Sequence, residues 1–385
     1  MDNVPLIQPM KLRAISVRHY KSLSDVTVEL DPQITVIVGP NSVGKSNFVD
    51  AMRFLRDAAR DGLDHAITSR GGITRVRQQM SGTKPFNIGL ELEFLEQQQR
   101  EEPIPVVHTA SYLLELASVK GGNFKVTQEK EQLFVNNQEI LYTKKPDRLA
   151  LSTGLEFNQS YYLLRHIVTK DLKNWRFTTL YPTTLRELRA PDTDNALRED
   201  GSNWASMIRA AKRTSWGRQT LERINEMMRL VLPEFQDVQI STVGSYLVPK
   251  FRFKDADSDK VREFDPVQLS DGTLRIYGIL LSLYLQPAPS LLVIEEPEQT
   301  VHPGVLAMLS EAFKEVADTV QIIITTHSPQ LVDHFAPEQV RVASMVNGLT
   351  RIAPIKASQR LAVQRGLMGL GEFMAAEGLQ PEFQS

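Results

Sequence analysis

Hydrophobic and polar positions alternate with a period of two over residues 12–17 and again over 26–30, with Tyr20, Lys21, Ser22 and Leu23 turning between them. That alternation predicts two half-buried strands. Ile34, Thr35, Val36, Ile37 and Val38 form a largely apolar run that predicts a buried strand. Phe48, Val49, Met52 and Leu55 then recur at helical spacing, and the helix should end near Gly62, with a further break at Gly71 and Gly72. Residues 86–143 read as β-rich: 86–94 alternate cleanly, 106–116 form a second candidate strand, and Gly121 and Gly122 precede two short runs, 124–126 and 133–135. From about 160 to 235 the period becomes helical and Arg and Lys become dense. Residues 204–231 read as two helices broken around Trp216 and Gly217, with Met207, Ile208, Leu221, Ile224, Met227 and Met228 inward. A strand-like run at 246–253 leads to a charged hairpin tip at 254–260. An apolar helix through Leu285, a strand at 291–294, a helix at 303–318 and a strand at 321–324 follow. Strand, helix and strand in that order imply parallel neighbours. The stretch 366–374 reads as a small helix or docking segment.

The chain has 385 residues, enough for one or two domains with a sizeable core. With no cysteine, disulfides, Cys-ligated metals and thiol catalysis are excluded. A net charge of −2 excludes a generally basic nucleic-acid coat but leaves room for a local basic patch. The N-terminal residues have no apolar core of signal-peptide length, and the apolar stretch 277–285 is too short to span a bilayer. A cytoplasmic protein without a membrane partner is the expectation.

Candidate chemistry begins at Gly39, Pro40, Asn41, Ser42, Val43, Gly44, Lys45 and Ser46, which have the spacing G-x-x-x-x-G-K-[ST] between a predicted strand and helix. The glycines let the backbone curl so that N–H groups face phosphate oxygens, and the new helix adds its positive end. Lys45 can reach the β- and γ-phosphates, and Ser46 can hold Mg²⁺. Four apolar residues, Leu291, Leu292, Val293 and Ile294, run into Glu295 and Glu296. Glu295 is a candidate for the Mg²⁺ hydration shell and Glu296 for taking a proton from attacking water; taken alone, the same pattern would also suit a parallel strand ending in an exposed acidic turn. His327 follows the next strand, on the same side as Glu296, where ligands bind in open α/β sheets and where it can donate a hydrogen bond to a γ-phosphate. Ser270 is a good N-cap, and Gly272 permits close backbone approach at a second anion-attracting helix start. An ordinary capped core helix would read the same way.

Together these elements, in this order, resemble the ABC-type ATPases. Gly44, Lys45, Ser46, Asn47, Phe48, Val49, Asp50 and Ala51 look like the GKSN-x-x-DA form of the RecF, SMC and OLD-type branch, and residues 295–303 (EEPEQTVHP) look like the OLD-like form. Residues 19–25 and 197–203 also fit. The resemblance implies an α/β P-loop NTPase fold with a mixed sheet, an N-terminal antiparallel β subdomain and an inserted, mainly helical subdomain. It names residues 39–46 as Walker A, with Asn47 beside the nucleotide, 269–272 as signature, 291–296 as Walker B and His327 as switch histidine. It implies ATP and Mg²⁺, and two subunits that share each ATP between Lys45 of one and Ser270 and Gly272 of the other. Glu295 stands where many relatives have Asp, Asp271 where transporters have Gly, and His302 where transporters have the D-loop aspartate. Gln78 and Gln79 are the candidates for a Q-loop. The expected organisation is an ATPase lobe at 1–160, an inserted arm at 161–265, a second lobe at 266–352 and a tail at 353–385.

The insert carries Arg209, Lys212, Arg213, Arg218 and Arg223 with Trp204 and Trp216 interleaved. Such a patch suits sequence-independent contact with a DNA backbone; it equally suits two helices solvated by charge. No acidic cluster follows His327, so any cutting of nucleic acid is expected from a partner effector or nuclease. The expected function is an ATPase switch that forms a homodimer or higher homo-oligomer, acting in DNA maintenance or defence against phage. The alternatives are an energising transporter subunit, and a regulatory or chaperone-like ATPase that does not touch DNA.

Overall fold

The computed structural model describes residues 10–78, 82, 84–97, 105–135, 138–144, 168–255 and 260–383, with the short strand Leu6–Ile7. Gln79, the tip residues 256–259 and the boundary near 160 lie outside them. Among the described residues no helix is long and apolar enough to cross a membrane. The chain divides by packing into two units, Met1–Trp175 with Phe335–Ser385, and Arg176–His334. The divisions expected from composition run along the chain, whereas this one nests the second unit within the first.

The first unit is built on a mixed sheet. Its strands lie in the order Gln138–Lys144, Phe124–Val135, Pro105–Ser118, Phe86–Gln97, Lys11–Tyr20, Leu23–Glu29, Leu349–Pro354, Val340–Val346 and Ile34–Val38. The pairing is antiparallel through Leu23–Glu29. Ile34–Val38 runs parallel to Val340–Val346, with Val36 opposite Val340. All five residues of Ile34–Val38 are buried, as its unbroken apolar pattern requires. The runs at 124–126 and 133–135 belong to one strand, Phe124–Val135, because the polar residues between them continue the pairing with Pro105–Ser118. The helix Lys45–Asp61 ends at Gly62 and buries Phe48, Val49, Met52 and Leu55. Phe54 joins them, and with Tyr20 and Phe86 it forms an edge-to-face triad with ring centroids 5.7–5.9 Å apart.

The second unit holds the parallel strands Arg176–Thr178, Leu291–Glu295 and Gln321–Thr326, with Glu295 in register with Thr325. Helix Leu306–Ala317, entered through the turn Pro303–Val305, links the last two and buries Leu306, Leu309, Phe313 and Val316. The strand Tyr246–Lys254 pairs with Phe235–Val243, which the sequence pattern did not predict, and with Val261–Phe264. Trp204, Phe235, Phe251 and Tyr277 pack together beneath them, each no more than 2% exposed. Fully burying a large apolar side chain contributes about 1.5–3 kcal/mol, so this cluster is a principal anchor of the unit.

The break in the 204–231 helical region differs from expectation. The helices are Trp204–Ala211 and Ser215–Val231, and the break falls at 212–214. Thr214 is the cap: its backbone is extended and its hydroxyl accepts the Gly217 N–H at 3.0 Å. Gly217 lies inside the second helix, and a Cβ there would meet the Ala211 carbonyl oxygen at 2.2 Å. Close packing of the two helices, and not a chain break, requires this glycine. Helix propensity alone would favour Gly217→Ala. The contact reverses the sign: the variant should lose about 1–3 kcal/mol, read as a lowered urea midpoint by tryptophan fluorescence.

Candidate functional site

In the first unit, the strand Ile34–Val38 delivers the chain into residues 39–44 and the helix Lys45–Asp61 carries it away. Ser42 and Gly44 have φ of 67° and 99°, and this left-handed backbone lets the loop close on itself. The N–H groups of Asn41, Ser42, Val43 and Gly44 make no hydrogen bond to other described residues. The carbonyls of Gly39, Pro40 and Val43, by contrast, are engaged. Lys45 Nζ is buried and donates to the Gly39 and Pro40 carbonyls at 2.6 and 3.0 Å. Thr350 Oγ1 donates to the Val43 carbonyl at 2.8 Å and lies 2.6 Å from Ser22 Oγ, which accepts from Asn47 Nδ2 at 2.7 Å. A Cβ on Gly44 would sit 1.9 Å from Thr350 Oγ1. Ser46 is exposed, and its hydroxyl has no hydrogen-bond partner among the described residues. Asn47 thus braces the loop from the protein side.

One turn further along the helix, Asp50 accepts from Tyr20 Oη at 2.7 Å, pairs with Lys21 at 2.6 Å and receives Arg70 Nε at 3.0 Å. Arg70 also reaches Asp57 at 2.9 Å. Burial works to raise the Asp50 carboxyl, but Arg70 and Lys21 outweigh it and hold it below the usual carboxylate range. Burial and the neighbouring carboxylate push the Tyr20 phenol well up. Tyr20, Lys21 and Asp50 belong to two of the motifs that carried the resemblance, and their task here is to fix the helix onto the sheet.

In the second unit, Glu295 ends the strand Leu291–Glu295. Glu296 follows with a positive φ of 47°, uncommon for a non-glycine residue, and its N–H donates to the Thr325 carbonyl at 2.8 Å. Gln299 Nε2 donates to Glu296 Oε2. His327 Nδ1 lies 3.6 Å from Glu296 Oε2 and 3.3 Å from Glu298 Oε1. Glu296 and His327 therefore share one end of these parallel strands, as expected. Ser270 caps the helix Asp271–Tyr284, accepting the Thr273 N–H at 3.1 Å, and is exposed. A Cβ on Gly272 would meet the Thr300 carbonyl oxygen at 2.5 Å, so this glycine lets the helix start touch the loop after the acidic strand. Asp271 pairs with Arg186 at 2.6 Å, which answers its added charge. His302 Nδ1 accepts the Gly304 N–H at 3.1 Å, the role of a cap.

Sequence reasoning missed Arg275. From the helix Asp271–Tyr284 its guanidinium donates to the carbonyls of Glu296 at 2.9 Å, Glu295 at 3.3 Å and Leu180 at 2.8 Å. Burial lowers its pKa against the opposing pull of Glu298 and Glu296. Arg275 thus joins the start of one helix to the backbone of the acidic turn.

The basic residues of the insert do not form one uniform surface. Lys212 donates to the Val238 carbonyl at 2.8 Å and to Gln239 Oε1 at 3.0 Å. Arg223 forms ion pairs with Glu315 at 2.6 Å and Glu226 at 3.0 Å. Arg218 is exposed but donates to the Lys212 carbonyl at 3.0 Å. The side chains of Arg209 and Arg213 have no hydrogen-bond or ion-pair partner among the described residues. Trp216 is 47% exposed, whereas Trp204 is buried and its indole N–H donates to the Leu185 carbonyl at 3.2 Å.

A 64-residue stretch, 16% of the chain, is 41% identical to chromosome partition protein Smc of Mycolicibacterium paratuberculosis, covering 5% of that protein. A 151-residue stretch, 38% of the chain, is 29% identical to chromosome partition protein Smc of Halothermothrix orenii, covering 11% of it. The chain thus spans about a tenth or less of these curated relatives. In fold, it is similar to the Smc head bound to the C-winged helix domain of ScpA, with a TM-score of 0.53 at 12% identity, over 91% of this chain and 99% of that one. It is likewise similar to the Smc head domain with an extended coiled coil, bound to the C-terminal domain of ScpA, derived from Pyrococcus furiosus, with a TM-score of 0.54 at 10% identity, over 93% and 99%. The family model described as "AAA domain, putative AbiEii toxin, Type IV TA system" matches residues 34–333. The chain belongs to this AAA-domain family and has the P-loop ATPase fold of the Smc heads.

Proposed function

We propose that the chain hydrolyses ATP as a switch, closing as a homodimer around nucleotide and passing its state to a partner effector. The observation that supports this reading best is the loop at 39–44, where the N–H groups of 41–44 stay uncommitted among the described residues while the Gly39, Pro40 and Val43 carbonyls are engaged by Lys45 and Thr350. A loop held in that manner suits an anion with several acceptor oxygens.

Roles follow from chemistry. Residues 39–47 would receive the triphosphate, with the Lys45 ammonium exchanging its carbonyl partners for phosphate oxygens. The exposed Ser46 hydroxyl fits a hard cation, and Ser46 and Glu295 are the residues that would hold Mg²⁺. When bound, Mg²⁺ neutralises charge that develops on the phosphates. Glu296 would take the proton of the attacking water, held for it by Gln299 and by its own fixed backbone. His327 would meet the terminal phosphate. Ser270 and Gly272 would serve the nucleotide of the second copy, since one chain needs one phosphate cradle.

A narrower reading concerns DNA. Arg209 and Arg213 retain free donors, and Trp216 is exposed near Arg213 in sequence. These residues suit sequence-independent contact with phosphates, in defence or in DNA maintenance.

Glu296→Gln should bind ATP with little change, lose turnover about a hundredfold or more, and accumulate as an ATP-held dimer in size-exclusion chromatography with light scattering. One mass with and without ATP would refute the switch. Lys45→Ala should abolish nucleotide binding by calorimetry. Duplex DNA titrated across a salt series should bind with a log–log slope of about −0.9 per phosphate contacted. The double variant Arg209→Ala and Arg213→Ala should flatten that slope, whereas wild type that fails to bind at low salt would remove DNA from the function.

A further inference from the structure

Glu298 lies two residues beyond the proposed proton acceptor and has no role in the account above. Its carboxylate is only 8% exposed. Oε1 accepts from Thr326 Oγ1 at 2.6 Å and from the His327 backbone N–H at 3.0 Å, and lies 3.3 Å from His327 Nδ1. Oε2 is buried without a hydrogen-bond partner among the described residues. A buried carboxylate with one oxygen unsatisfied is costly. Its two hydrogen-bond donors are the Thr326 hydroxyl and the His327 N–H.

We propose that Glu298 is the positioning residue of His327. It holds the histidine by its backbone N–H and sets a carboxylate oxygen 3.3 Å from Nδ1. A bare Nδ1 lone pair facing the carboxylates of Glu298 at 3.3 Å and Glu296 at 3.6 Å would be repelled by both, so Nδ1 carries a proton. The ring is thereby oriented with Nε2 away from both carboxylates, and Nε2 donates to a phosphate only when the ring carries its second proton. Carboxylates that hold a histidine through its far nitrogen serve metal sites and catalytic triads in the same way. The Thr326 hydroxyl in turn fixes Glu298 and donates to nothing else in this cluster, while its oxygen accepts the Ser328 N–H at 3.0 Å.

The functional part rests on the ATPase reading; the protonation of Nδ1 does not. The test therefore has two readouts, the ¹⁵N–¹H spectrum of the His327 ring, assigned by loss in His327→Gln, and steady-state ATP turnover. Wild type should show Nδ1 protonated. Glu298→Ala should move the proton towards Nε2 and lower kcat about tenfold to a hundredfold, with nucleotide affinity within about twofold. Glu298→Gln keeps an acceptor for Thr326 and the His327 N–H, so it secures the fold, and it should fall between wild type and Glu298→Ala in both readouts. Wild type protonated at Nε2 alone would overturn the proposal, as would both variants keeping wild-type spectra and kcat. If wild type does not hydrolyse ATP, the function proposed above fails, and the spectra still decide whether Glu298 holds His327.

Discussion

A loop that offers backbone N–H groups to an anion cannot spend them on itself. Ordinary turns are stabilised by those same groups, so such a loop has to be held from outside, through its carbonyls and its side chains. Residues 39–44 meet this constraint with partners drawn from across the first unit. Thr350, on a strand near the far end of the chain, donates to the Val43 carbonyl and touches Ser22, and Ser22 accepts from Asn47. Lys45 occupies the two carbonyls at the loop entrance. The contact is so close at Gly44 that any side chain would displace Thr350. The glycine is needed for its φ and for its lack of a Cβ, and either alone would select it.

The acidic turn of the second unit solves a matching problem. Two carboxylates at a strand end repel each other, and a positive φ at Glu296 adds backbone cost. Arg275 answers both from the neighbouring helix: its guanidinium takes the two carbonyls of the turn and brings positive charge close to Glu296 and Glu298. A neutral donor could satisfy the carbonyls but would leave the carboxylates uncompensated. A lysine could compensate them but lacks the planar fork that spans three acceptors.

This division explains which parts were legible in the amino-acid sequence. Gly39, Gly44, Lys45, Glu296 and His327 were readable because their chemistry is local: the spacing, the strand before and the helix after lie within a few residues. Thr350 and Arg275 were not, because each acts on a backbone carbonyl, which leaves no mark on the partner's residue type. Glu298 stood inside a motif, yet its link to His327 depends on Glu295 and Thr325 being in register, a fact of the parallel sheet. Glycine misled once. Gly217 was read as a breaker because glycine commonly ends helices, whereas here it admits the Ala211 carbonyl, and the break was written in Thr214. The strand Phe235–Val243 escaped notice because its exposed second half lacks alternation in burial.

The same reasoning limits what charge in the insert can do. A cation contributes to an external contact only with donors that are not already committed. Lys212 is committed to a carbonyl and an amide, and burial holds its ammonium below its usual pKa. Breaking those bonds to reach a phosphate would leave the Val238 carbonyl unsatisfied. Arg223 shares the Glu315 carboxylate with Tyr284, and its side-chain bonds to Glu315 and Glu226 hold it firmly protonated. An approaching polyanion would have to displace Glu315 and Glu226 against their own charge. Density of Arg and Lys along the sequence therefore overstates the basic surface. Arg209 and Arg213, on and just past the helix Trp204–Ala211, are the positions at which a polyanion would meet the least resistance.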